Sequence, residues 1–345
     1  HKELIAVHTI KLSRLAMVMA VALLMIGAAI GPAAAAPAPI RLKYGHVQPE
    51  SHFTTKTALW MADQLKARSG GRIEMSVYPN SALGGQNELF EGLRLGDVDF
   101  AWIATGSLSR QIPELGLLSV SYLIDGLDHY LRLVERDGAM MTWVSDAIQK
   151  REPSVRLAGM LGGSPRRLYN KRRPINTPQD LKGLKIRVQD SPIEGKVWAA
   201  LGARPVPLAW AEIYTALQMG VIDGAESSTE AYEVNKFYEV APFHTLTEHQ
   251  WLFMPQLISE RTYRRLPADL QKIVMDVAWE ASLKAVQFCK EEESAVFRTL
   301  ESRGVKIGRP SLQPFIDIMA PLQDEVAADL GAQQLLKIIR QSRAK

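Results

Sequence analysis

Two segments of this chain carry the same pattern at the same kind of place. Leu93-x-x-Gly96-x-Val98-Asp99-x-Ala101 matches Leu217-x-x-Gly220-x-Ile222-Asp223-x-Ala225 position for position. In each, a helical stretch stops at a glycine, the residue that adopts the left-handed helix cap without steric cost. An apolar strand follows at once. A helix-to-strand junction used twice predicts two copies of one α/β lobe. The flanking residues agree. Upstream of the first copy, Leu42-Lys43-Tyr44-Gly45-His46 reads as a strand and 55–68 as a helix with Leu59, Ala62 and Leu65 near helical spacing. Ile73, Met75 and Val77 alternate with Arg72, Glu74 and Ser76 as a second strand. A helix over 87–95 and a strand over 98–103 complete a β-α-β-α-β order, the pattern of a parallel α/β domain.

The second lobe restarts near Arg167. Thr177-Pro178-x-Asp180 is a helix start, with a capping hydroxyl, a proline at the first position and an acid at the positive end. Leu184, Ile186 and Val188 alternate with Lys185 and Arg187 as a strand. Helices over 192–201 and 211–219 and a strand over 221–225 follow. In open α/β sheets ligands bind beyond the carboxyl ends of the strands. The repeat therefore points at Ala104-Thr105 in one lobe and Glu226-Ser227 in the other, and two lobes facing there enclose a cleft. From Pro267 to Leu300 an apolar pattern runs without glycine, longer than an ordinary globular helix and able to span both lobes as a strut. A last amphipathic stretch, 312–339, is expected to pack back on one lobe.

The start of the chain bears on compartment. Lys11 and Arg14 precede an apolar run from Leu15 to Ile30, closed by Gly31-Pro32 and the alanines 33–36. Basic flank, apolar core and small-residue exit predict a secretory signal peptide over 1–36, cut between Ala34 and Ala38, and a periplasmic location. The alternative, a membrane anchor, calls for a longer run. The whole chain carries +4; the leader's Lys2, Lys11, Arg14 and Glu3 account for +2 of it. So small a remainder gives nucleic acid no basis for binding. The lone Cys289 cannot form an internal disulfide and reads as a buried structural thiol. No nucleophile elbow, zinc-protease motif, paired cysteines or phosphate loop is present. No catalytic residue, metal or cofactor is expected.

Three blocks resemble one family. They are Val77-Tyr78-Pro79-Asn80-x-x-Leu83-Gly84-Gly85, Arg173-Pro174-Ile175-x-Thr177-Pro178-x-Asp180 through Val188, and Pro207-Leu208-Ala209-Trp210-x-Glu212 through Gly224. Together, in order, they resemble the solute-binding subunits of TRAP transporters, the DctP family. The resemblance implies a two-lobed periplasmic-binding-protein-like α/β fold with a hinge and a long helix across both lobes. The expected division is 37–164 plus 253–292 for lobe I and 165–252 plus 293–345 for lobe II. It also implies a receptor, read as a monomer, that delivers a small carboxylate to a TRAP permease. A sensory protein, or an enzyme on the same fold, is the alternative.

The resemblance assigns Arg187 as the central ligand arginine and Arg167 as the second, with the adjacent Arg166 an alternative. It places Trp210 and His249 at the site, and puts Ser227 where asparagine is common. Where sialic-acid-binding members have a glutamate, this chain has Ala104. That missing acid and the tryptophans predict a partly apolar ligand with few hydroxyls. Gln86, Thr105 and Glu226 complete the candidate ligand-binding set. On alternation alone Arg187 reads equally as a solvated strand residue. What favours a ligand role is chemistry, since a guanidinium presents paired donors that match a carboxylate. Trp251 and Phe253 either line the cleft or wedge the hinge. For His46 and His52 a surface or capping role is expected, with a ligand contact by the 46–48 segment as the alternative.

Overall fold

The structure, a computed structural model, describes residues 38–343 together with Met17; the leader expected over 1–36 lies outside the described residues. Two sheets form two lobes. Lobe I is built on β1 (Ile40–Gly45), β2 (Ile73–Tyr78), β3 (Phe100–Trp102), β4 (Val155–Leu161) and β10 (Met254–Ser259), ordered β2-β1-β3-β10-β4. Helix α1 (Phe53–Arg68) links β1 to β2, and α2 (Gln86–Leu95) links β2 to β3. The first three strands are parallel, as expected, but β10 returns from the other lobe and inserts antiparallel between β3 and β4. Lobe II is built on β5 (Pro165–Asn170), β6 (Lys185–Val188), β7 (Arg204–Pro207), β8 (Gly224–Ser227), β9 (Phe243–Trp251) and β11 (Lys306–Gly308), ordered β11-β9-β5-β8-β6-β7.

The repeated junction folds the same way in both lobes. Helix α2 ends at Gly96 with φ 81°, and α7 (Ile213–Met219) ends at Gly220 with φ 75°. The two aspartates then do one job. Asp99 Oδ2 accepts the backbone N–H of Lys43 on β1 at 2.8 Å, and Asp223 Oδ2 accepts that of Lys185 on β6 at 2.9 Å. Each carboxylate also holds an arginine, Arg265 in one lobe and Arg172 in the other, both at 2.7 Å. These pins occupy the residues just after each glycine, so β3 and β8 begin later than apolar pattern alone predicts. The expected helix start forms only a single 3-10 turn, Pro178–Leu181, where Asp180 Oδ2 accepts the Thr177 backbone N–H at 2.9 Å and its hydroxyl at 3.2 Å, so the acid and not the threonine side chain does the capping.

Helix α10 (Ala268–Ser302) is the expected strut. Val274, Ala278, Ala281 and Ser282 are buried along its lobe I face. It lies so close to β4 that a Cβ on Gly159 would meet Ser282 Oγ at 2.5 Å and the Ala278 carbonyl at 2.8 Å. Leu300, at its other end, joins the lobe II core of Tyr169, Ile213, Leu217, Tyr232 and Phe237. The chain also crosses between lobes at 162–164 and at 252–253. There Trp251 and Phe253 stack on Tyr130, with ring centroids 5.8 and 5.1 Å apart.

The C-terminal stretch does not settle on one lobe. It forms α11 (Gln313–Asp329) and α12 (Gln333–Gln341), whose Phe315, Met319, Val326 and Ile339 share a core with Leu117, Val144 and Ile148 of lobe I. Lys196, on lobe II helix α6 (Pro192–Ala200), pairs with Glu325 of α11 at 2.7 Å. The amphipathic pattern gave the buried face but not its two partners. Among the described residues no helix is long and apolar enough to cross a membrane.

Candidate functional site

The two lobes touch around a cleft at the carboxyl ends of β3, β6 and β8. Ser107 Oγ donates to Gln189 Oε1 at 3.1 Å, Ser109 Oγ to Ser191 Oγ at 3.2 Å, and Arg110 pairs with Asp190 at 2.7 Å. Asn235 Nδ2 donates to Gln48 Oε1 at 3.1 Å on another side of the opening. The lobes are therefore closed on each other around a small enclosed space lined from both sides.

Arg187 enters this cleft from β6. It is 3% exposed, its Nε donates to the Leu208 carbonyl at 2.9 Å, and its guanidinium lies 5.8 Å from the Trp210 ring. Among the described residues its two terminal nitrogens have no hydrogen-bond partner. Burial pulls its pKa down, with the charges of Glu194 and Glu226 opposing. A guanidinium stays protonated regardless, so a desolvated cation faces the cleft without a carboxylate of its own.

Arg166, on β5, also lines the cleft but is already neutralised. Its Nε and one terminal nitrogen grip the Glu226 carboxylate, and the same terminal nitrogen reaches the Glu226 carbonyl at 3.0 Å. Both residues are buried. Burial alone would raise the pKa of Glu226, yet the charge of Arg166 and the contact with His249 push it down to about 2. His249 Nε2 stands 3.5 Å from Glu226 Oε2, while its Nδ1 meets Thr247 Oγ1 at 2.8 Å. Burial holds the pKa of this imidazole below its usual value. A second acid, Glu194 on α6, accepts both the backbone and side-chain N–H of Gln189, at 2.8 and 2.6 Å. Burial and the charge of Glu226 push its pKa up to about 7.

Of the residues singled out from sequence, Arg187, Trp210, Ser227 and Gln86 line the cleft. Four others do not. Arg167 points to the opposite side of β5, where it bonds Thr229 Oγ1 at 2.7 Å, Glu248 at 3.0 Å and Glu293 at 3.1 Å. The cause is strand alternation: neighbours on β5 face opposite ways, so Arg166 takes the cleft and Arg167 cannot. Glu226 and His249 stand behind Arg166 as its support. Thr105 is buried beyond Ala104, its N–H spent on the Phe253 carbonyl at 3.2 Å. Sequence reasoning missed Trp102, Ser164, Gln189 and Ser228, all of which line the cleft, as does Gln48 of the 46–48 segment it had named as an alternative contact. Gln189 was within reach, because it follows Arg187 by two residues and so shares its face. His52, expected at the surface or as a cap, does cap α1 through Nδ1, and it also lines the cleft. Trp251 and Phe253 do not line it. Among the described residues no group of His, Cys, Asp and Glu could hold a metal ion.

The profile of the DctP family, described as bacterial extracellular solute-binding protein, family 7, matches residues 44–329. This chain belongs to that family. A solute-binding protein of Roseobacter denitrificans is 35% identical over 73% of this chain and 76% of its own length. One from Sulfitobacter sp. (strain NAS-14.1) is 31% identical over 84% of this chain and 88% of its own. Among solved structures, a TRAP periplasmic solute-binding protein from Chromohalobacter salexigens with bound D-glucuronate superposes with a TM-score of 0.83 at 27% identity, covering 88% of this chain and all of its own. The two-lobed α/β architecture and the role of a TRAP-type receptor for organic acids are thus those of a DctP protein. Its relatives bind solutes outside the cytoplasm.

Proposed function

We propose that this DctP protein captures a six-carbon-scale sugar acid through its carboxylate on Arg187, encloses it between the lobes, and hands it as a monomer to a TRAP permease. The observation that carries this reading is the Arg187 guanidinium, on a residue only 3% exposed, whose one hydrogen bond is to a carbonyl and whose terminal nitrogens open into the cleft with no protein carboxylate to meet them among the described residues. A planar guanidinium receives a carboxylate by two parallel hydrogen bonds. Trp210 beside it offers a flat apolar face to the ligand body. The glucuronate bound by the C. salexigens relative supports a hydroxylated ligand. So does the lining here, whose Gln48, Gln86, Ser164, Ser227 and Ser228 supply more polar contacts than a poorly hydroxylated acid would use. On this reading Arg166 is the second arginine, fixing the strand end rather than carrying free charge, and Arg167 serves the outer side of the hinge. The proposed lobes are 37–164 with 253–292 and 165–252 with the rest, joined by the helices after 312.

The test is differential scanning fluorimetry of ligand-stripped protein against a panel of uronates, aldonates and simple dicarboxylates. Binding to the native state alone raises the melting temperature. The expected result is a shift of several degrees for one class of acid, abolished in Arg187→Ala. Absence of any shift across the panel would overturn the reading.

A further inference from the structure

Arg187 accounts for one end of a ligand. The facing wall, on lobe I, has its own chemistry. His52 and Trp102 line the cleft, 3% and 2% exposed, and each leaves a ring nitrogen without a partner among the described residues. Both nitrogens are donors. At His52 Nδ1 the backbone N–H of Thr54 donates at 3.2 Å and the Thr54 hydroxyl stands at 2.8 Å; with Nδ1 accepting the N–H, the hydroxyl donates too and the neutral ring carries its proton on Nε2. Burial keeps that ring neutral, with its pKa down to about 3. The Trp102 indole N–H can only donate.

Two glutamines on the same wall extend the pattern. Gln86 Oε1 accepts the backbone N–H of Ala104 at 2.7 Å. A backbone N–H cannot accept, so this contact fixes the amide and leaves its NH2 as the open end. Asn235 Nδ2 donates to the Ala231 carbonyl at 2.8 Å and to Gln48 Oε1, which fixes Gln48 the same way. Lobe I thus offers donors from four side chains. Across the cleft the protons of Ser164 and Ser227 are spent on Glu230 and on the Ser228 carbonyl, leaving their lone pairs for ligand hydroxyls. No aspartate or glutamate lines the cleft.

We infer that the lobe I wall of His52, Trp102, Gln86 and Gln48 is an acceptor-binding subsite, built for an acid whose end remote from Arg187 carries a carbonyl or second carboxylate rather than a hydroxymethyl group. A buried donor left unpaired costs more than an ordinary hydrogen bond gains. A carbonyl or carboxylate oxygen satisfies two such donors and brings no proton of its own. A hydroxymethyl brings one, and the two amide oxygens of this wall already accept the Ala104 N–H and the Asn235 amide. The inference rests on the sugar-acid reading above and names the far end of that ligand.

The test is isothermal titration calorimetry of ligand-stripped protein with matched six-carbon acids: aldonates and the aldarates that replace their hydroxymethyl by carboxylate. The expected result is that the tightest binder is an aldarate, about tenfold or more tighter than its aldonate, the worth of one or two buried hydrogen bonds. Trp102→Phe, checked for an unchanged fold by circular dichroism, should shrink that ratio toward one. The inference is overturned if the aldonate binds as tightly as its aldarate, or if Trp102→Phe weakens both classes equally. If no acid of any class binds, the carboxylate reading itself falls and takes the subsite with it.

Discussion

Lobe I and lobe II share a frame and differ in what they present. At the ends of the sheets away from the cleft they match in kind: a left-handed glycine, an aspartate bonded to the neighbouring strand's backbone N–H, and an arginine on that aspartate. At the cleft they diverge. Lobe II brings buried charge, Arg166 and Arg187 in the lining with Glu194 and Glu226 behind them, while lobe I lines the cleft with neutral rings and amides. The pin lies at the amino ends of the strands and the ligand chemistry at the carboxyl ends. A duplicated lobe can therefore keep the first and rewrite the second.

The contrast can be broken from either side. The largest effect is expected at the charged pair behind the cleft. Glu226→Ala leaves Arg166 buried without a partner and should cost about 3–5 kcal/mol of stability in denaturant unfolding. Arg187→Ala removes the ligand's counter-charge and should cost about 3 kcal/mol or more of binding, read by calorimetry, with little change in stability. Equal effects on folding from both would erase the distinction between a supporting and a ligating arginine.

The two acids of lobe II should respond oppositely to pH. Glu226 has a folded pKa below its unfolded value, so its contribution is present above about 4.5 and is lost as pH falls toward 2. Glu194 has a folded pKa above its unfolded value. The folded state then binds the extra proton, and stability declines as pH rises from about 4.5 to about 7. Glu194→Gln should flatten that decline in thermal melts across the same window; an unchanged slope would remove Glu194 from the account. The smallest effects are expected outside the cleft. Arg167→Ala should change ligand affinity by less than about threefold, and so should Arg110→Ala, whose exposed pair with Asp190 is screened by water and salt.

What sequence revealed follows from the range of the forces involved. The repeated glycine junction is local chain geometry, and it gave the number of lobes and the position of the cleft. The long helix was legible because its apolar pattern is uninterrupted. Arg187 was legible through the family resemblance, with guanidinium chemistry in its favour, since alternation alone left it equally a solvated strand residue. The choice between Arg166 and Arg167 was not. It depends on which face of β5 turns inward, and the pairing with β9 shifts register at that point, between Arg166 and Leu168. Nor was the donor wall. The open ends of Gln48 and Gln86 are set by Asn235 and Ala104, partners distant in the chain. Glu194 reads as an ordinary N-terminal helix acid until lobe I closes over it.

Helix α10 is unbroken and sits against β4 at a glycine, so it cannot flex where it lies on lobe I. Any opening of the lobes should therefore bend at 162–164, where Gly162 and Gly163 have φ of 153° and 105°, and at the strand crossing at 252–253. Such a molecule moves like a door hung on one jamb: a small rotation at two glycines swings the far rim, with its Ser109–Ser191 and Arg110–Asp190 catches, through the widest arc. Solute should therefore enter and leave by that rim, and stiffening either glycine should slow both passages together.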